Sequence, residues 1–187
     1  MLHAARRQPE ALVIGIDAAP EAMRESSRRA ARRLAAGGAP NALFLVGDAT
    51  RPDGLQVLAG CVDDVRATLP WGSLARAVLD AEPSLVDGLA ALLRPGGRLS
   101  LLLSLTDRDL GLGRQPLADA EVTRLAHAFA AGRFAVRVAR PATADDVLRL
   151  DSSWAKRLGI PLQRPAWVIA LERLPSPGGT AAPHAAV

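Results

Sequence analysis

The chain has 187 residues, one domain's worth, and is 49% apolar and 22% charged, which excludes wholesale disorder. Its net charge is +4, and every basic residue except Lys156 is arginine, whose planar fork of donors suits phosphate, although a GC-rich coding sequence would give the same bias. Cys61 is the only cysteine, which excludes an internal disulfide and a cysteine-based zinc site and fits a reducing, cytoplasmic home. His3, His127 and His184 stand far apart and indicate no metal cluster. The longest strongly apolar run, Leu99 to Leu105, is too short to cross a bilayer, and no signal-peptide pattern follows the N-terminus.

In chain order, Leu2 to Gln8 reads as the end of a helix stopped by Pro9. Ala11 to Ile16 is a short apolar run ending in Asp17, the pattern of a buried parallel strand. Pro20 opens a helix predicted to run to Ala36 and to stop at Gly37-Gly38. Ala42 to Val46 is the next strand, ending at Gly47-Asp48. Cys61 to Leu69 holds another, weakened by Asp63 and Asp64. Ser73 to Leu93 reads as helical with a break near Pro83. Arg94-Pro95-Gly96-Gly97 predicts a sharp turn into a strand from Arg98 to Leu105. Leu117 to Ala131 is a helix stopped by Gly132, and Phe134 to Ala139 a strand. Thr143 to Leu158 is a helix capped by Thr143, and Trp167 to Leu171 a last strand. One domain over 1–173 is expected, followed by a disordered Pro/Gly/Ala/Ser tail over 174–187. Alternating strands and helices predict an α/β fold with a mostly parallel sheet. The closing strand–helix–strand unit points to an antiparallel C-terminal edge.

Two acids stand at successive strand ends. In a doubly wound sheet ligands lie beyond the carboxyl ends of the strands. Asp17 could there hold both hydroxyls of a ribose, and Asp48, followed by Ala49, could accept from an adenine amino group. Singly, each reads more readily as a solvated loop aspartate or a helix cap. Together they favour a nucleoside-containing cofactor.

The segment Leu92-Leu93-Arg94-Pro95-Gly96-Gly97-Arg98-Leu99 resembles the "L-x-P-G-G-x-L" turn of the class I S-adenosylmethionine-dependent methyltransferases, a Rossmann-like fold. Two tryptophan segments narrow the resemblance: Leu69-Pro70-Trp71-Gly72-Ser73-Leu74, and Ser152-Ser153-Trp154-Ala155-Lys156-Arg157-Leu158. The pair looks like the aminoglycoside-resistance methyltransferases that modify N1 of an adenine in the decoding site of 16S rRNA. In that family the two tryptophans hold a flipped adenine. The resemblance implies base positioning by Trp71 and Trp154, and S-adenosyl-L-methionine held by Asp17, Asp48, Ala49, Pro70 and Ser152. The implied partner is the small ribosomal subunit, met by a monomer with no membrane attachment.

The physics of a buried base fits. An adenine paired in RNA hides its N1, so the enzyme must extrude it and supply faces on which it stacks. With three tryptophans, three phenylalanines and no tyrosine, the chain has few such faces, and the alternative is that both tryptophans are core. Trp167, in an apolar strand, reads as core. Arg24, Arg28 and Arg32 are spaced by four on one predicted helix face, flanked by Arg29 and Arg33. Lys156, Arg157 and Arg164 form a second basic group. The resemblance implies phosphate contacts for Arg28, Arg29, Arg32, Arg33, Lys156, Arg157 and Arg164; the plain alternative is a solvated face. N1 carries its own lone pair, so no general base is required.

The sequence departs from the family at the front. No Gly-rich turn of the form "D-x-G-x-G-x-G" precedes Asp17. The expectation is a start codon assigned too late, with a true fragment or a pseudogene product as the other readings. The absent strand would be the central one, between the strands ending at Asp17 and near Leu69. Such a chain should fold marginally and bind cofactor poorly. Thr50 stands where the family has an acid, and Leu162 where a basic residue would be allowed. Two other functions stay open: a methyltransferase acting on tRNA or a small molecule, and a non-catalytic RNA-binding remnant.

Overall fold

The computed structural model describes residues 1–106, 109, 116–150, 155 and 157–175. Six strands alternate with helices in the order α1 (Leu2–Arg7), β1 (Val13–Asp17), α2 (Pro20–Ala30), β2 (Ala42–Val46), β3 (Val62–Thr68), α3 (Gly72–Leu79), α4 (Pro83–Leu92), β4 (Leu93–Leu103), α5 (Asp119–Ala130), β5 (Phe134–Pro141), α6 (Ala144–Leu150) and β6 (Trp167–Arg173). β1 pairs in parallel with β2, and β3 in parallel with β4. The C-terminal part is antiparallel, as the closing unit indicated. However, β6 enters between β4 and β5, so β5 is the outermost strand.

The strands form two sheets, β1-β2 and β3-β4-β6-β5. Among the described residues, β1 and β3 each have one edge with no strand beside it. That division falls where the resemblance places a central strand. The apolar cores lie on one side of it. One packs Leu85, Leu99, Leu101, Leu125, Phe129 and Ile169 between the larger sheet and α3, α4 and α5. A smaller one gathers Leu69, Leu102, Val147, Ala155, Ile160 and Ala166. All their residues follow Cys61 in sequence. The N-terminal portion has polar ties of its own. The Asn41 amide reaches the carbonyls of Ala5, Gln8 and Ala11 at 2.8–2.9 Å, and the Arg6 guanidinium donates to the Gly37 carbonyl.

Three local expectations change. α2 ends at Ala30 rather than Ala36. The chain folds back so that the Ala39 N–H donates to the Ala30 carbonyl at 2.9 Å. Gly38 permits this, because a Cβ there would lie 1.8 Å from the Arg32 carbonyl oxygen. Gly37, at φ 77°, then caps a short 3-10 turn over Leu34–Ala36. The Arg94–Gly97 segment is a bulge inside β4, not a turn before it. Val62 pairs with Leu93 and Asp64 with Arg98, so the four residues loop out of the ladder. A Cβ on Gly97 would meet the Arg94 and Val62 carbonyl oxygens at 2.8 and 3.1 Å. Helix α6 is described to Leu150. The expected tail lies outside the described residues from 176 onward.

The expected cap of α6 is present and reciprocal. The Asp146 N–H donates to Thr143 Oγ1 at 3.3 Å, while the Thr143 N–H donates to Asp146 Oδ2 at 2.7 Å. The Arg140 guanidinium, donating to both carboxylate oxygens, holds the Asp146 carboxyl well below the usual carboxylate range, with the Thr143 bonds adding to the effect. A depressed native pKa stabilises the fold above the unfolded value and loses that stabilisation as pH falls through the native one. Asp146→Asn is therefore expected to lower stability by about 1 kcal/mol at neutral pH. The gap from wild type should close as pH drops below about 4. Thermal melts at several pH values check this; a gap that widens in acid would contradict it.

Candidate active site

The parallel strands β1–β4 put their carboxyl ends where ligands bind in open α/β sheets. Asp17 closes β1, exposed, and its Oδ1 accepts the Ala19 N–H at 2.8 Å, a turn that leads into α2. Asp48 follows β2. Its Oδ1 accepts from Thr50 Oγ1 at 2.7 Å and from the Thr50 N–H at 2.9 Å. The Thr50 hydroxyl, then its N–H, lowers the Asp48 pKa below the ordinary carboxylate value, so the group is ionised at neutral pH. In both acids Oδ2 has no partner among the described residues and is free to accept from a hydroxyl or an amino group.

At the end of β3 the ladder continues one step, with the Leu69 N–H donating to the Leu102 carbonyl at 2.8 Å. Leu69 then turns left-handed at φ 51°, and Gly72 does so at φ 60°. Between them Trp71 caps α3 with an extended backbone and is 57% exposed. That exposure removes the core alternative for Trp71. Pro70, Leu103, Ser104, Leu105 and Leu117 line a small cleft at the carboxyl ends of β3 and β4.

Arg164 does not face solvent. Its Nη2 donates to Asp109 Oδ2 at 2.5 Å and its Nε to Ser104 Oγ at 2.7 Å, with the two charged side chains 13% and 5% exposed. Asp109 Oδ2 also accepts from the Thr106 N–H and hydroxyl, and Ser104 Oγ donates to the Pro165 carbonyl. A buried charge pair of this kind persists only when both members are fully hydrogen-bonded. The expected phosphate contact of Arg164 is thus corrected: the residue pins the segment before β6 to the end of β4.

A family model described as NpmA, 16S rRNA (adenine(1408)-N(1))-methyltransferase, matches residues 1–172. The chain belongs to this family. A curated member from Streptoalloteichus tenebrarius is 34% identical over 159 residues, covering 82% of this chain and 72% of the relative. A crystal structure of the corresponding enzyme from Catenulisporales acidiphilia, a tryptophan-to-alanine variant with its cosubstrate SAM, superposes with a TM-score of 0.81. It is 28% identical and covers 96% of this chain and 82% of that one. An aminoglycoside resistance methyltransferase of known structure superposes with a TM-score of 0.74 at 29% identity, covering 92% and 81% of the two chains.

In this methyltransferase the predicted set is distributed over both sheets. Asp17, Asp48 and Ala49 lie at the carboxyl ends of β1 and β2, and Pro70 and Trp71 at that of β3 in the larger sheet. Ser152, Trp154 and Lys156 lie outside the described residues. Their neighbour Ala155 is fully buried in the same small core as Leu69. Arg28 and Arg29 occupy the last turn of α2, and Arg32 and Arg33 follow its end. All four are exposed and none makes an ion pair with a described residue, whereas Arg24 is paired with Glu21 at 2.7 Å. The early end of α2 removes the four-residue helical spacing of Arg28 and Arg32 but not their exposure. Arg157 is exposed. Trp167 is buried, 7% exposed, and donates from Nε1 to Asp119 Oδ1 at 2.8 Å. Two functional supports were not anticipated. The Asp-x-Thr spacing at Asp48 is a legible turn signal, whereas no local signal links Asp109 to Arg164, 55 residues apart. No described helix is long and apolar enough to cross a membrane.

Proposed function

We propose that this chain methylates N1 of an adenine, at position 1408 of 16S rRNA, in the decoding site of the small ribosomal subunit, with aminoglycoside resistance as the outcome. The observation that carries the reading is Trp71, a 57% exposed tryptophan held at the end of β3 beside a cleft, on a chain of this family. An exposed indole at that place offers an extruded base a stacking face. S-adenosylmethionine, when bound, supplies an electrophilic methyl group on its sulfonium. Asp17 and Asp48 fit its nucleoside, since each has a free carboxylate oxygen at a strand end and Asp48 is held ionised. The remaining tasks are to bind, orient and exclude water, because N1 has its own lone pair and no side chain need remove a proton. The reading includes a single copy acting in the cytoplasm, where small subunits are found. The test is to incubate the protein with small subunits and cofactor, then map stops in reverse transcription, which a methyl on N1 blocks. A stop at the decoding-site adenine is expected; methyl transfer to tRNA alone, or to no RNA, would overturn the assignment.

The exposed arginines at the end of α2 support backbone contact rather than base reading. Reversing Arg28 and Arg32 together to glutamate should weaken subunit binding and flatten its salt dependence. Each lost phosphate contact removes about 0.7–0.9 from the slope of log affinity against log salt, so the pair should lower it by roughly 1.5. Cofactor affinity should not change. An unaltered slope in a titration over several salt concentrations would mean these arginines form only a solvated face.

A further inference from the structure

We propose that Leu69 is a positioning residue for the methyl transfer: its left-handed backbone, anchored by its buried side chain, sets the direction in which Trp71 leaves the sheet. The inference rests on the assignment of Trp71 as a stacking face. Leu69 sits at φ 51°, a region that leucine seldom occupies. It also precedes Pro70, and a following proline restricts the residue before it toward extended backbone. The conformation is strained on both counts, and such strain persists only where the surroundings over-determine it.

Here they do. The Leu69 N–H is held by the Leu102 carbonyl at 2.8 Å, the last step of the β3–β4 ladder. Its side chain is 8% exposed and shares one cluster with Leu102, Val147, Ala155, Ile160 and Ala166. Gly72, on the far side of Trp71, shows the cheaper solution. Glycine reaches positive φ at little cost, and a Cβ there would meet nothing within 4 Å. Glycine at position 69 would also satisfy the turn, but it could not anchor it. Leucine joins the base of the Trp71 turn to Ala155, the sequence neighbour of Trp154. Removing the anchor, or the left-handed turn, should leave Trp71 present but misaimed.

The test compares Leu69→Val, Leu69→Met and Leu69→Gly in the full chain. Valine keeps an apolar side chain, but its branching at Cβ opposes the left-handed backbone. Methionine keeps an unbranched anchor. With small subunits and S-adenosylmethionine, Leu69→Val should lower kcat by about tenfold, with both KM values within about threefold. Leu69→Met should restore kcat to within about twofold of wild type. Leu69→Gly, which relieves the strain but loses the anchor, should also lower kcat. A readout free of turnover is acrylamide quenching of tryptophan emission in a Trp154→Phe background, where Trp71 is exposed and Trp167 buried. Leu69→Val should change the quenching constant and Leu69→Met should not. The proposal is overturned if Leu69→Val keeps wild-type kcat and quenching. It is equally overturned if kcat, cofactor affinity and melting temperature fall together in proportion to lost side-chain volume, since that would be packing alone. A fully active Trp71→Ala would overturn the stacking assignment and this inference with it. An inactive Trp71→Ala beside an unimpaired Leu69→Val overturns this inference only.

Discussion

Trp71→Ala is expected to reduce methylation of small ribosomal subunits by at least about 100-fold while cofactor affinity stays within about twofold of wild type. Stacking a base on an aromatic side chain is worth about 1–3 kcal/mol, which alone accounts for roughly 5- to 150-fold. Loss of alignment adds to this, because a base that is bound but not aimed forfeits the benefit of orientation. Trp71 is suited to the test because it is 57% exposed at a helix N-terminus, so its removal opens no cavity in either apolar cluster. Trp71→Phe should recover part of the rate, since a smaller ring still offers a face. The same loss is expected for Trp154→Ala. The measurement is methyl incorporation into subunits together with calorimetric cofactor titration. Full activity in Trp71→Ala would mean that no base stacks at this position.

Backbone amides of β1 and β2 are expected to exchange with solvent at least about 100-fold faster than those of Leu99–Leu103 in β4, a difference of about 3 kcal/mol in opening free energy. The reason is the distribution of the core. Both apolar clusters are built from residues after Cys61, and among the described residues before it only Ala5, Met23, Ala30 and Ala39 are buried apolar residues. Among the described residues β1 and β2 pair only with each other, and two strands without a broad apolar face are marginal in water. Leu43 and Val46 of β2 remain exposed. β4, by contrast, is hydrogen-bonded on both sides and buried along most of its length. Hydrogen exchange read segment by segment decides the matter. Equal protection of β1, β2 and β4 would show a single cooperative unit and contradict this account. If S-adenosylmethionine is added, protection should rise first at Asp17 and Asp48, where the free carboxylate oxygens lie.

Much of this was legible from local pattern. Short runs rich in apolar and β-branched residues located all six strands, but burial did not follow: β1, β2 and β3 contain no fully buried residue, because neither sheet covers them on both faces. Pro20 and Pro83 begin helices in the structure, since each occupies a first turn where the missing N–H costs nothing. Trp167 was readable as core and Thr143 as a cap. Errors fell where a distant partner competed with local preference. The run of helix-forming residues after Ala30 does not stay helical, because Ala39 returns to take the Ala30 carbonyl. The Pro-Gly-Gly segment does not precede β4, because Leu93 already pairs with Val62 before the bulge.

The sequence by itself determined the strand–helix alternation, the acids at two strand ends, and the paired tryptophan segments, all of which depend on residues close together in the chain. Only the tertiary structure decided which cations are free. Arg164 and Arg157 read alike in sequence, yet Arg164 is drawn inward by Asp109 while Arg157 stays in water. Burial turns on contacts between residues 55 apart, and no local pattern encodes them. The same holds for Leu69: its composition says core, while the left-handed turn it adopts follows from β4 on one side and the Ala155–Ala166 cluster on the other.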